Sequence, residues 1–382
     1  MKINVDLRSL GYQPWSGVGY YTAALVKQLK SLPGVKWSFF DNRFSLNHQV
    51  DELIGSGAEL FRYRIPNKFF TPLERFFNWP KFESLVNNPD LIWFPNLTFV
   101  NKKAANGKTK RIVTIHDCSF LIQPQWYPWK ERLWHVLLAK KLTNYFDYFV
   151  AVSEHTKQEM IKLFNVPAEK IRVIYPGIEE KFFQTASNET LTQVKTKYLL
   201  PEKYFLFLGD VMKRKNVKLI IESLAKLKEK NQLGEYQIVI AGHIKDRSLI
   251  NYVEKLGASS KVKFLGYVAD EDRPALYQAA QAFIFPSLHE GFGFPVLEAA
   301  ASKCPVICSQ TTSLPELMGD NAIYVDPQNL ESLTKTLTDF IQNPNKSDHL
   351  LIPAYERARE FTWSKTAQEL YNYFKDIYEN RC

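Results

Sequence analysis

Short apolar runs alternate with stretches of helical spacing along the whole chain. In the first half, MKINVDLRSL, KWSFFD, DLIWFP, RIVTIHD, YFDYFVAVS and IRVIYPG read as strands, and TAALVKQLKSL carries its apolar residues at helical spacing. The second half repeats the style with YFLFLGD, YQIVIAG, VKFLGYV, AFIFPS, PVICS and AIYVD. Strands alternating with helices predict parallel sheets with helical crossovers. Two such series in one chain predict two Rossmann-like, doubly wound α/β domains. The repetition is architectural, with no fixed period of the solenoid kind. After YPG the text turns polar (QTASNETLTQVKTK), and Pro201 precedes a new strand. The boundary is therefore expected between Gly177 and Lys203, with one domain over 1–183 and another over 200–360. In the tail, 361–382, Ala367, Leu370, Tyr371, Phe374, Ile377 and Tyr378 form one stripe of an amphipathic helix. Ser364 is its expected cap.

Composition adds limits. The chain has 382 residues, 45% hydrophobic and 23% charged, which suits two packed domains and not a disordered chain. No apolar run approaches the roughly 18 residues of a membrane span. Asp6 and Arg8 interrupt the start, which reads as a strand and not as a signal peptide, so a cytoplasmic protein is expected. Cys118, Cys304, Cys308 and Cys382 form no CxxC pair and no zinc spacing, so packed free thiols are expected.

The formal net charge is +9, and residues 1–183 hold 25 Lys and Arg against 16 Asp and Glu. The whole excess thus lies in the first half. Such a half can attract anionic lipid, a diphosphate-bearing acceptor or nucleic acid, or can serve only solubility. Two basic-aromatic stretches occur there, 61–82 and 123–141. The second holds Trp126, Trp129 and Trp134 with Lys130, Arg132, Lys140 and Lys141. This text suits peripheral contact with an anionic membrane. It suits equally well buried tryptophans beside solvated cations. No nucleic-acid-binding module is present, so no nucleic-acid partner is expected.

The densest chemical signal is PSLHEGFGFPVLEAAASKCPVI, residues 286–307. A strand ends near Ser287, a loop with Gly291 and Gly293 follows, and a helix is expected from about Phe294, with Pro295 in its first turn. Glycines let backbone amides approach a ligand, and a helix start favours an anion such as diphosphate. Glu290 and Glu298 can accept hydrogen bonds from hydroxyls, one suiting a ribose diol and the other a sugar ring. A glycine turn with two solvated glutamates is the plain structural alternative. KRKN, residues 213–216, follows the first strand of the second series. Cations there would face the ligand side of the sheet and neutralise a diphosphate. Asp270-Glu271-Asp272 has an acid-x-acid spacing, but it precedes the helical text RPALYQAA. Negative charge at a helix start explains it without a metal, and no metal site is expected.

HEGFGFPVLEAAASKCPVI resembles the family 4 retaining glycosyltransferases, whose mark is two glutamates separated by seven residues, here Glu290 and Glu298. The resemblance runs nearly end to end, through DLRSL…SGVGYYT (6–22), VTIHD (113–117), VSEHTK (152–157), IRVIYPG (171–177), LFLGDVMKRKN (206–216), VKFLGYV (262–268), SLPEL (313–317) and FTW (361–363). It implies the GT-B fold, two Rossmann-like domains facing a central cleft, with the tail helix crossing back to the first. It implies a metal-independent transfer of a hexose from a nucleotide-diphosphate sugar, with no other cofactor.

By the same resemblance, Glu298 holds the donor ribose and Glu290 lies near the reaction centre. Phe292, Gly293 and Phe294 meet sugar hydroxyls and the diphosphate, while Arg214 and Lys215 supply the cations. His116 contacts the donor sugar, and the glycine loop with Gly17 and Gly19 lies across from the diphosphate. The start resembles the mannosyltransferase branch, which makes GDP-mannose the first expected donor and a UDP-sugar the next. The expected acceptor is a glycan or lipid-linked glycan. SKCPV stands where the family often has Gly-Thr before Pro-Val, a departure at a helix end. A nucleotide-sugar epimerase of the same fold and a non-catalytic nucleotide-sugar-binding protein are the alternatives.

Overall fold

The computed structural model describes residues 1–11, 15, 17–43, 48–55, 57–65, 79–98, 100–103, 107–127 and 142–380. The chain forms two units: Met1–Gly177 with Thr362–Cys382, and Ile178–Phe361.

The first unit carries strands β1 (Lys2–Asp6), β2 (Lys36–Asn42), β3 (Glu59–Tyr63), β4 (Leu91–Phe94), β5 (Lys110–Ile115), β6 (Tyr148–Ala151) and β7 (Ile171–Val173). They form one sheet in the order β3-β2-β1-β4-β5-β6-β7, every pairing parallel. Successive strand residues point to opposite faces, and here both faces are covered. Leu91 and Trp93 join one apolar cluster, whereas Ile92 and Phe94 join the other. This is why the strands read as continuous apolar runs.

β3 has no counterpart among the sequence expectations. It runs into the start of the 61–82 basic-aromatic stretch and lies at the sheet edge, where ELFRY is only half-buried and keeps two charges. Residues 66–78 and 128–141 lie outside the described residues, and with them Trp129, Trp134, Lys130, Arg132, Lys140 and Lys141. Among the described residues no helix is long and apolar enough to cross a membrane.

The second unit carries β8 (Tyr204–Leu208), β9 (Gln237–Ala241), β10 (Val262–Gly266), β11 (Ala282–Phe285), β12 (Val306–Ser309) and β13 (Ile323–Val325). Their order is β10-β9-β8-β11-β12-β13, again all parallel. Numbered within the unit this is 3-2-1-4-5-6, the doubly wound dinucleotide-binding order, whose direction reverses between β8 and β11. Cys304 and Cys308 are buried free thiols, as is Cys118 of the first unit.

The boundary lies at the early edge of the expected window. Residues 178–200, expected as a domain end and a polar connection, belong to the second unit. Phe182 packs on Tyr277, and the helix Asn188–Lys197 brings Lys197 and Tyr198 to Asp272. The break at Gly177 is sterically marked, since a Cβ there would stand 2.2 Å from the backbone nitrogen of Trp363.

The tail helix, Trp363–Glu379, completes the first unit. Its cap is Thr362, whose hydroxyl accepts from the Lys365 amide at 3.2 Å, and not the expected Ser364. Ala367, Leu370, Phe374 and Ile377 are buried with Tyr21, Leu25 and Val26 of the helix Gly17–Leu29. Tyr373 is also fully packed, while Tyr371 and Tyr378 are half-buried.

Candidate functional site

The strand order of the second unit places the chain after β8 beside the chain after β11. After β8 the chain closes a tight turn at Lys213–Lys215, and Asn216 leaves it in the left-handed region at φ 56°. After β11 the backbone of Leu288 donates to the Arg214 carbonyl at 2.8 Å, and the Ser287 hydroxyl oxygen lies 3.1 Å from the same carbonyl oxygen. The two loops are thus stitched together by backbone, and their side chains converge on Glu290. Arg214 Nη1 lies 3.0 Å from Glu290 Oε2, and Lys215 Nζ lies 2.6 Å from Oε1. The Ser287 hydroxyl donates to the same Oε1 at 2.5 Å.

Glu290 is 5% exposed and Lys215 is 8% exposed. Burial pushes the Glu290 carboxyl up, but Lys215 and Arg214 outweigh it and hold the group down at about 2. It is therefore a carboxylate at any physiological pH. The two cations expected to neutralise a diphosphate are thus already paired within the protein. They share this internal counter-charge, and the cluster keeps one net positive charge, fit for an anion.

The glycine loop closes over this cluster. Gly293 sits at φ 132°, and a Cβ there would come within 2.6 Å of Leu314 Cδ2, so only glycine fits. The helix Phe294–Ala301 starts directly after it, with Pro295 in the first turn as expected. Phe292 is buried, its ring 5.0 Å from that of Phe294.

The last residue of β12 and the loop after it fix this loop in place. Ser309 Oγ donates to the Ser287 carbonyl at 2.6 Å, and Ser313 Oγ donates to the carbonyls of Glu290, at 3.0 Å, and Phe292. The Glu290 amide donates to Thr312 Oγ1 at 3.2 Å. Ser309 and Thr312 were not singled out in the sequence, and Ser313 appeared there only as the first residue of the SLPEL match.

Glu298 lies on the same helix, 6% exposed. Its Oε2 accepts from Arg273 and, at 3.0 Å, from the Tyr277 hydroxyl. Neither partner was singled out in the sequence. The acid-x-acid triplet beside them directly precedes the helix Arg273–Ala279, as expected, but Asp272 makes no side-chain cap bond to it. Instead Asp270 pairs with Lys181 and, at 2.7 Å, with Arg273, while Asp272 pairs with Lys197 at 2.6 Å. The two carboxylates are thus neutralised by different cations.

In the first unit, His116 follows β5. Its Nε2 lies 2.8 Å from the Pro95 carbonyl beyond β4. A carbonyl only accepts, so Nε2 carries the proton and Nδ1 is left as an acceptor. Burial pushes the imidazole below its ordinary range, against the Pro95 contact and Asp117. His116 is therefore a neutral hydrogen-bonding group and not a cation. Tyr21 packs edge-on against it with ring centroids 4.7 Å apart.

Tyr21 comes from the helix Gly17–Leu29, which already contains Gly17 and Gly19. The expected glycine loop is thus the first turn of a helix. A Cβ on Gly19 would meet Trp15 Cβ at 2.9 Å, while a Cβ on Gly17 would meet none of the described residues within 4 Å. Ser16 lies outside the described residues.

Comparison with known proteins gives this geometry a family. Residues 15–182 match the model for Glycosyltransferase Family 4, and residues 191–357 match that for Glycosyl transferases group 1. The chain is 27% identical over 390 residues to O-antigen chain mannosyltransferase B of Escherichia coli, covering 98% of this chain and 100% of that one. It is 31% identical over 237 residues to O-antigen chain mannosyltransferase RfbU of Salmonella typhimurium, covering 61% of each. It is 28% identical to the serotype-specific mannosyltransferase WbdA of Escherichia coli, where 70% of this chain spans only 34% of that longer protein. Among solved structures, Anabaena HepE in complex with UDP-glucose superposes with a TM-score of 0.75 at 18% identity, covering 98% of this chain and 100% of that one. With both halves matched and a parallel doubly wound sheet in each, this chain belongs to the family 4 glycosyltransferases of the GT-B fold.

Proposed function

We propose that this glycosyltransferase moves mannose from GDP-mannose to a cell-envelope glycan or lipid-linked glycan, with retention of configuration and without a metal ion. The observation that carries the reading is the Arg214–Lys215–Glu290 cluster at the strand-order reversal of the second unit, beside the start of the helix Phe294–Ala301. Two cations and a helix N-terminus supply what a divalent ion otherwise supplies to a departing diphosphate. Mannose is favoured over other hexoses because the matching O-antigen relatives are mannosyltransferases.

In this reading the acceptor hydroxyl attacks the anomeric carbon from the side the diphosphate leaves. The carbon–oxygen bond to the diphosphate breaks, and a diphosphate oxygen takes the hydroxyl proton. Arg214, Lys215 and the amides at Gly293 and Phe294 stabilise the growing charge. Glu290 orients the two cations, Glu298 receives the ribose, and His116 accepts a hydrogen bond from a donor-sugar hydroxyl at Nδ1. Positioning and charge stabilisation then carry the catalysis.

The test is transfer from a panel of GDP- and UDP-sugars to a lipid-diphosphate-linked glycan, in EDTA, with the product anomer read by NMR. The expected result is mannose transferred from GDP-mannose as the α-anomer at an undiminished rate. An inverted product, or loss of activity that manganese restores, would overturn the mechanism. Free nucleotide and an altered sugar formed without acceptor would identify an epimerase instead.

Peripheral contact with an anionic membrane is part of the same proposal, supported by the charge excess of residues 1–183. Flotation with anionic liposomes at low salt is expected to retain the protein, and high salt to release it. Equal recovery with neutral liposomes would remove this part.

A further inference from the structure

The helix Arg273–Ala279 places Arg273 and Tyr277 four residues apart, hence on one face. Both side chains end on a single oxygen of Glu298, Oε2. Among the described residues nothing hydrogen-bonds to the other oxygen, Oε1. Arg273 is itself held from two further sides. Its Nη1 donates to Asp270 Oδ1 at 2.7 Å, its guanidinium lies 5.2 Å from the Phe182 ring centroid, and Asp270 is in turn tied to Lys181. A carboxylate 6% exposed would otherwise swing among rotamers with an uncompensated charge. An arginine anchored at a second carboxylate and on an aromatic face leaves it one orientation.

We propose that Arg273, with Tyr277, is a positioning residue for the donor ribose: together they hold Oε2 of Glu298 so that Oε1 is the oxygen offered to the ribose hydroxyls. This rests on the reading of Glu298 as the ribose-binding group. A ribose diol donates two hydrogens, and a carboxylate oxygen fixed in advance meets them without ordering a flexible chain on binding. Arg273 touches no substrate atom and acts only through Glu298.

The test compares binding of GDP with 2′,3′-dideoxy-GDP, and of UDP with its dideoxy counterpart, to the full chain by calorimetry. Wild type is expected to prefer the ribonucleotide about tenfold or more, the worth of a charge-assisted hydrogen bond. Glu298→Gln should collapse that preference. Arg273→Met should lower it to about threefold while leaving dideoxynucleotide affinity unchanged, and should raise donor KM with little change in kcat. Arg273→Lys should recover part of the preference. Tyr277→Phe, which removes one hydroxyl and keeps the ring, should lower it partway and serves if Arg273→Met does not fold.

If the wild type binds both nucleotides equally, the ribose role of Glu298 is wrong, and the positioning role falls with it. If Glu298→Gln loses the preference while folded Arg273→Met and Tyr277→Phe keep it in full, Glu298 binds ribose and the positioning role alone is overturned.

Discussion

Replacing Glu290 with glutamine is expected to abolish nearly all transfer and to destabilise the second unit. Glutamine is close in shape, but it leaves Arg214 and Lys215 without their buried counter-charge. Breaking a buried pair from one side costs about 3–5 kcal/mol, or a fall in melting temperature of roughly 10 °C for a unit of this size. Transfer should fall about a hundredfold or more, the usual cost of losing a preorganised charge contact at a reacting diphosphate. GDP should restore part of the lost melting temperature, because its diphosphate can stand in for the missing carboxylate.

Acid gives an independent reading of the same cluster. The folded-state pKa of Glu290 is lowered from 4.5 to about 2. Its stabilisation, about 3 kcal/mol, is therefore complete above pH 4.5 and is lost as pH falls from there towards 2. Wild type should lose stability across that window, and Glu290→Gln should lack this component. A variant that melts with wild type at neutral pH, turns over normally and shows the same acid loss would refute the arrangement.

Truncation of Phe374 is the second large effect. The ring is fully buried, 6.0 Å from that of Trp93 and 6.5 Å from that of Trp37. Phe374→Ala should cost about 3–5 kcal/mol, from lost transfer energy and the cavity left behind. The loss should appear in the first unit, as faster proteolysis of residues 1–177 than of 178–361. Deleting everything after Phe361 should be harsher. It uncovers Tyr21, Leu25, Val26 and Trp93 on one contiguous apolar face, and such faces drive aggregation. A soluble truncated protein with the wild-type melting curve would show that the helix only decorates the unit.

Much of the fold was legible because buried parallel strands carry apolar residues on both faces. DLIWFP and YFLFLGD announce themselves for this reason. ELFRY did not, because an edge strand half in solvent keeps charges that look like surface text. Backbone-driven parts of the site were also legible. Gly293 and Pro295 are local requirements of a strand-loop-helix turn, visible without the fold.

The pairings were not legible in the same way. Lys215 and Glu290 are 75 residues apart and meet only because β8 lies beside β11. Sequence assigned both to one site but gave no sign that they pair with each other. Arg273 and Glu298 meet across two packed helices, with no motif to mark the arginine. His116 follows a strand end, where the sequence placed it, yet its charge state depends on burial and on a proline carbonyl, and neither is written locally.

The split of the first unit also sets the order in which the protein can finish folding as it is made. A chain leaves the ribosome N-terminus first, and domains usually complete in that order. Here the first unit needs a helix that is translated after the whole of the second. The unit begun later is therefore the first able to close. The sheet begun earlier must wait through about 180 further residues with the bed for Phe374 open, which is at least about 9 s at an elongation rate of up to about 20 residues per second. During that interval the nascent chain presents a standing hydrophobic groove to holdase chaperones, and a premature stop before Trp363 leaves it open for good.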